Sequence, residues 1–430
     1  MNILFIFASL LLVFLYSLQI KNDFASPGFL YLLIWSVVSF FSLIFLRGED
    51  ISFTTVLIIL VGNILFSQSV YFSRIIIKAK TIQKEDDSFI NQFVLICLIA
   101  FCLFMYWYIY RDLQEISKLV ESSTNFNKVL EGARYVSTHS IARIGYLAAT
   151  FNRVNYSLGL VVFYYFCKQI FYPKSNSVSS LQLLIVSLLC LSGSILSAGR
   201  SELLGMLMGY VSIYLLFYSK KWTWEFSKYS SKILKYLIRA GIGFIFLFLI
   251  IGVFILNRTG ANRGETLLVN LAKYIGSSIG ALNYYLNNTS QYPENTVWGQ
   301  NMFLALYSTL NTLGLYSGER IVFLPSTIIQ GTTTNVYTIY YYLIQDFGIF
   351  FGIFTQMLYG FIFGSLYYFI KKRYFNKYAI LLYATLSQAI VMSFFAEQFF
   401  SVFTNHLIRF FIVVVILVLI SLTNRIRLKL

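Results

Sequence analysis

The chain has 430 residues, of which 58% are hydrophobic and only 12% are charged, and its mean hydropathy is +0.71. A soluble domain carries about 25% charged residues, so this composition excludes an ordinary soluble enzyme and indicates lipid as the solvent. The net charge of +16 could suggest a nucleic-acid-binding protein, but basic loops that face anionic lipid explain it in a membrane protein, and we expect no nucleic-acid partner.

Long uncharged runs, each able to form a helix that crosses the hydrocarbon core, follow one another along the chain. They predict an all-α, polytopic integral membrane protein with about eleven spans, roughly ten to twelve, and not a β-barrel, whose segments are short and alternating. We keep the first run as a span because it lacks the basic start and the cleavage site of a signal peptide. The predicted spans are residues 3–20, 28–46, 51–70, 89–110, 151–171, 180–197, 201–219, 236–256, 347–370, 379–397 and 407–424.

Basic residues cluster in four of the segments outside the predicted spans. These segments are 73–88, 219–239, 371–377 and the C-terminal tail. All four fall on one side of the membrane if the spans alternate, and the positive-inside rule makes that side the cytoplasm. The same alternation places the N-terminus outside.

Two long hydrophilic segments then face outside. Residues 111–150 form the first, and residues 257–346 form the second, which we expect to be one large external loop. The prediction is therefore an N-terminal helix bundle over 1–256, the external loop, and C-terminal transmembrane helices over 347–430.

A short polar gap, SAGRSE, separates two of the long apolar runs and contains Arg200. One interpretation is an arginine at a helix end whose charged head reaches the lipid headgroups. The other is an anion receptor, because a helix N-terminus offers free N–H groups and a favourable dipole. An arginine adds a permanent charge and a planar fork that suits phosphate.

The external loop carries three further arginines, Arg258, Arg263 and Arg320, whereas the cytoplasmic segments are mostly lysine. Membrane topology alone does not require this preference for arginine, but a phosphate or diphosphate ligand does. Each of the three could instead be a solvated loop charge. We predict that they bind the diphosphate or the glycan of a substrate.

Polar residues near the last spans supply candidates for proton transfer and sugar binding. Asn335 and Tyr337 precede a tyrosine-rich stretch, and we predict that they contact substrate. Asp346 lies at the start of a predicted span, where it could cap the helix, pair with an arginine or act as a base. Glu397 and His406 lie near the outer ends of the last spans and are the other candidates for a catalytic acid or base, although a lone histidine is more often structural.

Two motifs together indicate a family. The turn AGRSELL resembles the Gly-Arg motif of Wzy-type polymerases of O-antigen and capsular oligosaccharide repeat units, and TNVYTIYYYLIQDFGIFFG is similar to their C-terminal pattern. The large external loop ahead of the last three spans is also similar to theirs. The Gly-Arg match implies a catalytic role for Arg200, and the Asp-Phe-Gly match implies one for Asp346.

The resemblance implies a glycosyltransferase of the bacterial cytoplasmic membrane that moves a growing glycan from undecaprenyl diphosphate onto a new lipid-linked repeat unit. Such enzymes use no nucleotide sugar, no metal and no cofactor. A flippase and a chain-length regulator would be their partners, besides membrane lipids. Two other functions stay open: a flippase or transporter for lipid-linked oligosaccharide, and an O-antigen ligase-like glycan transferase of the same fold.

Overall fold

The structure of the protein is a computed structural model. It describes residues 1–21, 23–79, 89–120, 125–138, 141–142, 144–173, 178–197, 200–221, 235, 239, 243, 267–292, 297–317 and 324–427. The predicted span 236–256 lies outside the described residues except for two isolated positions.

Helices make up most of the described chain. They are α1 (Asn2–Gln19), α2 (Pro27–Phe45), α3 (Phe53–Ile76), α4 (Gln92–Ser117), α5 (Phe126–Thr138), α6 (Tyr146–Phe171), α7 (Ser180–Gly193), α8 (Arg200–Lys221), α9 (Leu267–Asn287), α10 (Leu304–Thr312), α11 (Ile339–Lys372), α12 (Lys377–Leu386), α13 (Gln388–Met392) and α14 (Phe403–Arg427). Two short strands, β1 (Thr327–Ile329) and β2 (Thr332–Thr334), form an antiparallel hairpin in which Ile328 lies opposite Thr333.

Eight helices of the described chain are long and apolar enough to cross a membrane, and each overlaps a predicted span. They are α1 to α4, α7 with the turn that follows it, α8, α11 and α14. The described chain thus has the architecture of a polytopic, all-α membrane protein. The total of eleven spans stays a prediction, because the run 151–171 forms the more polar helix α6 and the run 379–397 forms only short helices.

The spans differ in how much of their surface the protein itself covers. Within the most apolar window of each helix, 67% of the residues of α2 and of α8 are buried, against 22% for α1 and 28% for α4 and α14. Since a fully apolar helix can be stable only inside protein or in lipid, α1, α4 and α14 present faces suited to lipid. The interior of the bundle is built on α2 and α8.

The predicted helix over 379–397 is wrong from residue 393 onward. α13 ends at Met392, and residues 393–402, here called the non-helical segment, run on without a helix although half of them are buried and none is fully exposed. The Glu397 carboxylate accepts hydrogen bonds from the N–H groups of residues 399, 400 and 401. A side chain thus replaces the carbonyl partners that a helix would supply, which makes the bend tolerable in an apolar setting.

α11 is folded back on itself at Gly348. In a straight helix Tyr340 and Gly360 would be about 30 Å apart. Here both residues contact the same part of α3. The Tyr340 hydroxyl donates to Asn63 Oδ1 at 2.9 Å. Gly360 packs against Phe66, less than one turn farther along α3, so closely that a Cβ added to Gly360 would lie 2.2 Å from the Phe66 carbonyl oxygen. Gly348 permits the reversal with φ 74° and ψ 171°, a backbone conformation that is almost confined to glycine. We call residues 339–347 the first arm of α11 and residues 349–372 the second arm.

The helix ends rich in lysine and arginine lie together at one end of the bundle, here called the basic end. Lys372 Nζ donates to the Ile77 carbonyl at 3.0 Å, and Lys220 Nζ lies 3.8 Å from the ring centroid of Phe375. These contacts join the last turns of α3, α8 and α11. The N-terminal ammonium is at the opposite end, 3.3 Å from the Asp50 carboxylate.

Candidate functional site

The predicted arginines differ in what the structure describes of them. Arg200 is the first residue of α8, at the end of the bundle opposite the basic end, and its side chain is not described. Arg258, Arg263 and Arg320 lie outside the described residues, so their role in binding stays a prediction.

Asp346 closes the first arm of α11 and is half-buried. Its Oδ1 accepts from the backbone N–H and the side-chain amide of Asn301 at 3.1 and 2.9 Å, and its Oδ2 accepts from the N–H of Met302 at 2.7 Å. The carboxylate therefore ties the turn before α10 to the bend of α11. Asp346 lies two residues before Gly348, and its carboxylate binds the backbone of residues 301 and 302.

The other two predicted residues of this motif are placed quite differently from each other. Asn335 follows β2 and is exposed, whereas Tyr337 is fully buried. The Tyr337 hydroxyl donates to the carbonyl of Pro325 at 2.9 Å and lies 2.7 Å from Thr327 Oγ1. Burial raises the pKa of this phenol, so it stays neutral. Tyr337 thus anchors the β-hairpin, while Asn335 is open to a ligand.

Glu397 is 1% exposed and its two oxygens hold four donors. Besides the N–H groups of residues 399 to 401, its Oε1 accepts from the Tyr359 hydroxyl at 2.7 Å. The bonds to the backbone N–H groups shape the non-helical segment, and the bond to Tyr359 fixes it to the second arm of α11. This is the environment of a structural carboxylate, and it leaves little capacity to take a proton from a substrate.

His406 lies in the first turn of α14 and is 1% exposed. Its Nε2 is 2.9 Å from the carbonyl oxygen of Gln398, and since a carbonyl only accepts, Nε2 carries the proton. Nδ1 then holds a lone pair, and it is buried without a hydrogen-bond partner among the described residues. Of the predicted bases, His406 is the one whose basic atom is not already bonded.

An ion pair that was not predicted from the sequence, and whose arginine is buried, lies where α6, α8, α13 and α14 meet. The Arg409 guanidinium donates to both carboxylate oxygens of Glu202, and its carbon lies 4.0 Å from the ring centroid of Tyr156. Gln388 Oε1 accepts from Arg409 Nη1 at 3.4 Å and from the Tyr156 hydroxyl at 3.3 Å. Arg409 is 2% exposed. We call these four residues the Arg409 layer.

A second layer lies about one turn nearer the end opposite the basic end. Arg153 Nε donates to Asn405 Oδ1 at 3.0 Å, and these two residues precede Tyr156 and Arg409 on their own helices. Arg200 likewise precedes Glu202 on α8. Since the three helices start at the same end, the rise of about 1.5 Å per residue places Arg153, Asn405 and Arg200 roughly 3–6 Å farther out. We call these three the Arg153 layer.

The two layers differ in charge balance. Glu202 neutralises Arg409, but Arg153 is half-buried and its two terminal nitrogens hydrogen-bond to none of the residues that the structure describes. A half-buried guanidinium that keeps its fork free can bind an anion with two parallel hydrogen bonds. The first turn of α8 adds N–H groups and a positive helix end on the same level.

The sequence also indicates Arg153 and Arg409 as candidate functional residues, although neither belongs to the two motifs. Both lie inside apolar runs predicted to be spans, and an ionisable residue inside a span is by default a candidate functional residue. Asn405, Gln388 and Tyr156 gave no comparable signal, because polar residues of these types are frequent at helix ends and in tyrosine-rich spans.

Comparisons of the chain with protein families, with curated proteins and with solved structures find no match. The described residues contain no group of three or more His, Cys, Asp or Glu side chains placed to hold a metal ion. The site is thus characterised by its own residues alone.

Proposed function

We propose that this protein polymerises undecaprenyl-diphosphate-linked oligosaccharide repeat units into a bacterial surface polysaccharide. It would act at the outer face of the cytoplasmic membrane as a glycosyltransferase. The observation that carries the proposal is the Arg153 layer, in which a half-buried guanidinium, whose terminal nitrogens bond to none of the described residues, lies at the level of the first turn of α8. A diphosphate is the ligand that best matches this arrangement.

The orientation of the layer supports a substrate outside the cytoplasm. The Arg153 layer lies at the end opposite the basic end, and basic segments face the cytoplasm in most membrane proteins. A lipid-linked substrate in the outer leaflet would present its diphosphate at the level where the helices begin. Membrane lipids would therefore surround the protein, and the diphosphate ligand would reach it as part of a lipid in the outer leaflet.

The chemistry explains why fixed cations are needed. The acceptor hydroxyl oxygen bonds to the anomeric carbon of the donor glycan, and the bond from that carbon to the diphosphate oxygen breaks. The electron pair stays on the diphosphate, so negative charge develops there. One well-placed donor at developing charge is worth about 3–4 kcal/mol. Arg153 and Arg200 are the proposed donors, with Arg258, Arg263 and Arg320 as further contacts.

The proton of the acceptor hydroxyl needs a base. We assign this role to Nδ1 of His406, which is next to Asn405 of the Arg153 layer and has an unbonded lone pair. Glu397 shapes the non-helical segment that carries the Gln398 carbonyl, and so it positions His406. Asp346 fixes the bend of α11, and the exposed Asn335 is left to contact sugar. Bringing two membrane-bound substrates together in one orientation contributes further to the rate.

The test is a strain that lacks this protein, complemented in turn with wild type, with Arg153→Ala and with Arg111→Ala. Arg111 is a matched control because it is an exposed arginine paired with Glu115 at 3.5 Å. Surface glycan is separated on a gel, and the amount of each variant in the membrane is measured by immunoblot.

The proposal expects glycans of a single repeat unit in the deletion strain and with Arg153→Ala, and long chains with wild type and Arg111→Ala. No glycan at the surface would instead indicate a flippase. Long polymer that stays on its lipid carrier would indicate a ligase. Long, normally attached chains in the deletion strain would contradict all three functions. A flippase and a chain-length regulator are the partners that a polymerase would need.

A further inference from the structure

One stretch of the predicted external loop carries no charge. Between Glu294 and Glu319 the sequence contains no acidic residue, no basic residue and no histidine. The structure describes residues 297–317 of this stretch, here called the surface segment, and α10 lies within it. Soluble domains carry about 25% charged residues, so an uncharged stretch of this length indicates a less polar surrounding than water.

The surface segment leaves large apolar side chains uncovered by protein. No residue of α10 is buried. The exposed fractions are 70% for Trp298, 52% for Leu306, 65% for Leu313 and 73% for Leu315. Leu306, Leu310 and Leu313 follow one another at intervals of four and three residues, which places them on one face of the helix. Exposed apolar residues that form one patch mark a surface that contacts protein or membrane.

Three hydroxyl groups of the surface segment donate their hydrogen bonds to its own backbone. Thr309 Oγ1 and Thr312 Oγ1 each donate to the carbonyl four residues before, at 2.8 and 2.9 Å. The Tyr307 hydroxyl donates to the carbonyl of Trp298 at 2.9 Å. These donors do not need water as a partner, and a polar group in contact with lipid must be satisfied in this way.

Ring contacts place the surface segment at the end opposite the basic end. The Trp298 ring lies 4.9 Å from that of Phe347 and 6.1 Å from that of Phe303, measured between centroids. Phe347 lies just before the second arm of α11, and Lys372 of the basic end closes that arm. At 1.5 Å per residue the arm is about 36 Å long, which is enough to cross a hydrocarbon core of about 30 Å. Trp298 therefore lies near the opposite membrane surface, where tryptophan is enriched.

The surface segment adjoins apolar surface that faces lipid. Phe350 is 67% exposed and Phe351 68%, in the first turn of the second arm. α11 is one of the helices long and apolar enough to cross a membrane, so its exposed rings suit acyl chains. Phe347, which Trp298 contacts, is three residues before Phe350. The Asp346 carboxylate fixes the start of the segment there through the N–H groups of residues 301 and 302.

We propose that the surface segment lies in the membrane interface of the leaflet opposite the basic end. Trp298 is at the level of the headgroups, and the exposed leucines of α10 lie among the upper parts of the acyl chains. The apolar face is thus covered by membrane lipid and not by a second protein. This part of the predicted external loop is bound to the membrane surface. The inference rests on the spans and does not depend on glycan transfer.

The first experiment measures which solvent surrounds α10. The full chain without its four native cysteines receives a single new cysteine and a spin label, and is placed in phospholipid vesicles. Leu306→Cys and Leu313→Cys report on the surface segment. Phe411→Cys is the lipid control, because Phe411 is 68% exposed on the span α14. Asp50→Cys is the water control at the same end of the bundle, because its side chain is 84% exposed.

Collisions of each label with molecular oxygen, which concentrates among acyl chains, are compared with collisions with a water-soluble nickel complex. We expect the labels at positions 306 and 313 to collide mainly with oxygen, as the lipid control does. Labels that collide mainly with the nickel complex, as the water control does, would overturn the proposal. Labels that neither reagent reaches would also overturn it, and dipolar broadening between them would then identify a second copy of the chain as the cover.

A second measurement uses the native tryptophan. Fluorescence of wild type and of Trp298→Phe is recorded in vesicles of phosphatidylcholine with bromine on the upper or the lower part of the acyl chains. The difference between the two proteins is the emission of Trp298. We expect it to be quenched most by bromine on the upper part. Emission that brominated lipid leaves unchanged, but that acrylamide in the water quenches, would contradict the proposal. Neither measurement involves glycan transfer, so the outcome is separate from that of the proposed function.

Discussion

Arg153 and Arg409 lie about one turn apart on adjacent helices, yet among the described residues a carboxylate partner is found for Arg409 alone. A buried charge is tolerated when it is paired, and Arg409 meets this condition through Glu202. Arg153 is half-buried, and among the described residues its two terminal nitrogens have no hydrogen-bond partner, so they are available to a ligand. At the scale of single residues, this difference separates an arginine with a structural partner from the one that we propose binds substrate.

Arg153→Ala should lower the rate of glycan transfer about 100- to 1,000-fold, since it removes a donor from the developing negative charge. Arg153→Lys should restore only part of the rate, because an ammonium cannot bind a phosphate with a planar fork. The measurement is polymer formed per unit time by purified protein supplied with lipid-linked repeat units. If Arg153→Ala matched the Arg111→Ala control, Arg153 would have no part in the reaction.

Glu202→Leu should destabilise the protein by about 3–5 kcal/mol, because it leaves the buried guanidinium of Arg409 without its partner. The double variant Glu202→Leu/Arg409→Met should recover most of this loss, since no uncompensated charge remains. Unfolding in detergent, followed for both single variants and for the double variant, gives the coupling energy. A double variant as unstable as the sum of the two single variants would show that the pair does not act as a unit.

At the scale of elements, the break in α11 determines where the polar motif lies. The sequence predicted a span beginning just after Asp346, but the helix begins at Ile339 and reverses at Gly348. The N–H of Ile339 donates to the carbonyl of Ser393 at 2.8 Å, so the first arm begins beside the non-helical segment. An irregular backbone within a bundle is tolerated where protein surrounds it, and here the Ser393 carbonyl of the non-helical segment accepts from the first N–H of the first arm.

Gly348→Ala should destabilise the fold by about 1–3 kcal/mol, because φ 74° with ψ 171° is a conformation that residues with a Cβ rarely adopt. A Cβ there would meet nothing within 4 Å, so the cost comes from the backbone alone. Ile349→Ala is the matched control, since Ile349 is the next residue along and is 48% exposed. Thermal unfolding of both variants decides the matter, and equal stability would mean that the reversal does not depend on glycine.

The non-helical segment shows why an apolar run does not by itself define a helix. Residues 379–397 have the composition of a span, but the helices stop at Met392. The Glu397 carboxylate competes for backbone N–H groups that lie only two to four residues ahead of it. The Glu397 carboxylate is held in place by Tyr359, on the second arm of α11. The sequence around Glu397 does not contain this partner, so the bend could not be predicted from it.

At the scale of the whole molecule, the distribution of charge gives the bundle two unlike ends. The last turns of α3, α8 and α11 bring lysines and arginines together, while the helix starts that carry the Arg153 layer lie at the other end. The positive-inside rule therefore predicts that the basic end faces the cytoplasm and that the N-terminus is outside.

This orientation can be measured with single cysteines in a variant that lacks the four native ones. Asp50→Cys, at the end opposite the basic end and 84% exposed, should react with a membrane-impermeant maleimide in intact spheroplasts. Lys78→Cys, which is exposed at the basic end, should react only after lysis. The reverse pattern would place the Arg153 layer in the cytoplasm and would contradict a polymerase that acts outside.

The sequence by itself determined the solvent, the helical class and the positions of eight spans, because a helix in lipid must be long, apolar and internally hydrogen-bonded. It also determined which ends are basic. Only the tertiary structure decided that α11 reverses at Gly348, that Glu397 shapes a bend, and that Glu202 neutralises Arg409. These features depend on contacts between residues far apart in the chain, such as Glu202 with Arg409, and no local pattern of hydropathy or charge contains them.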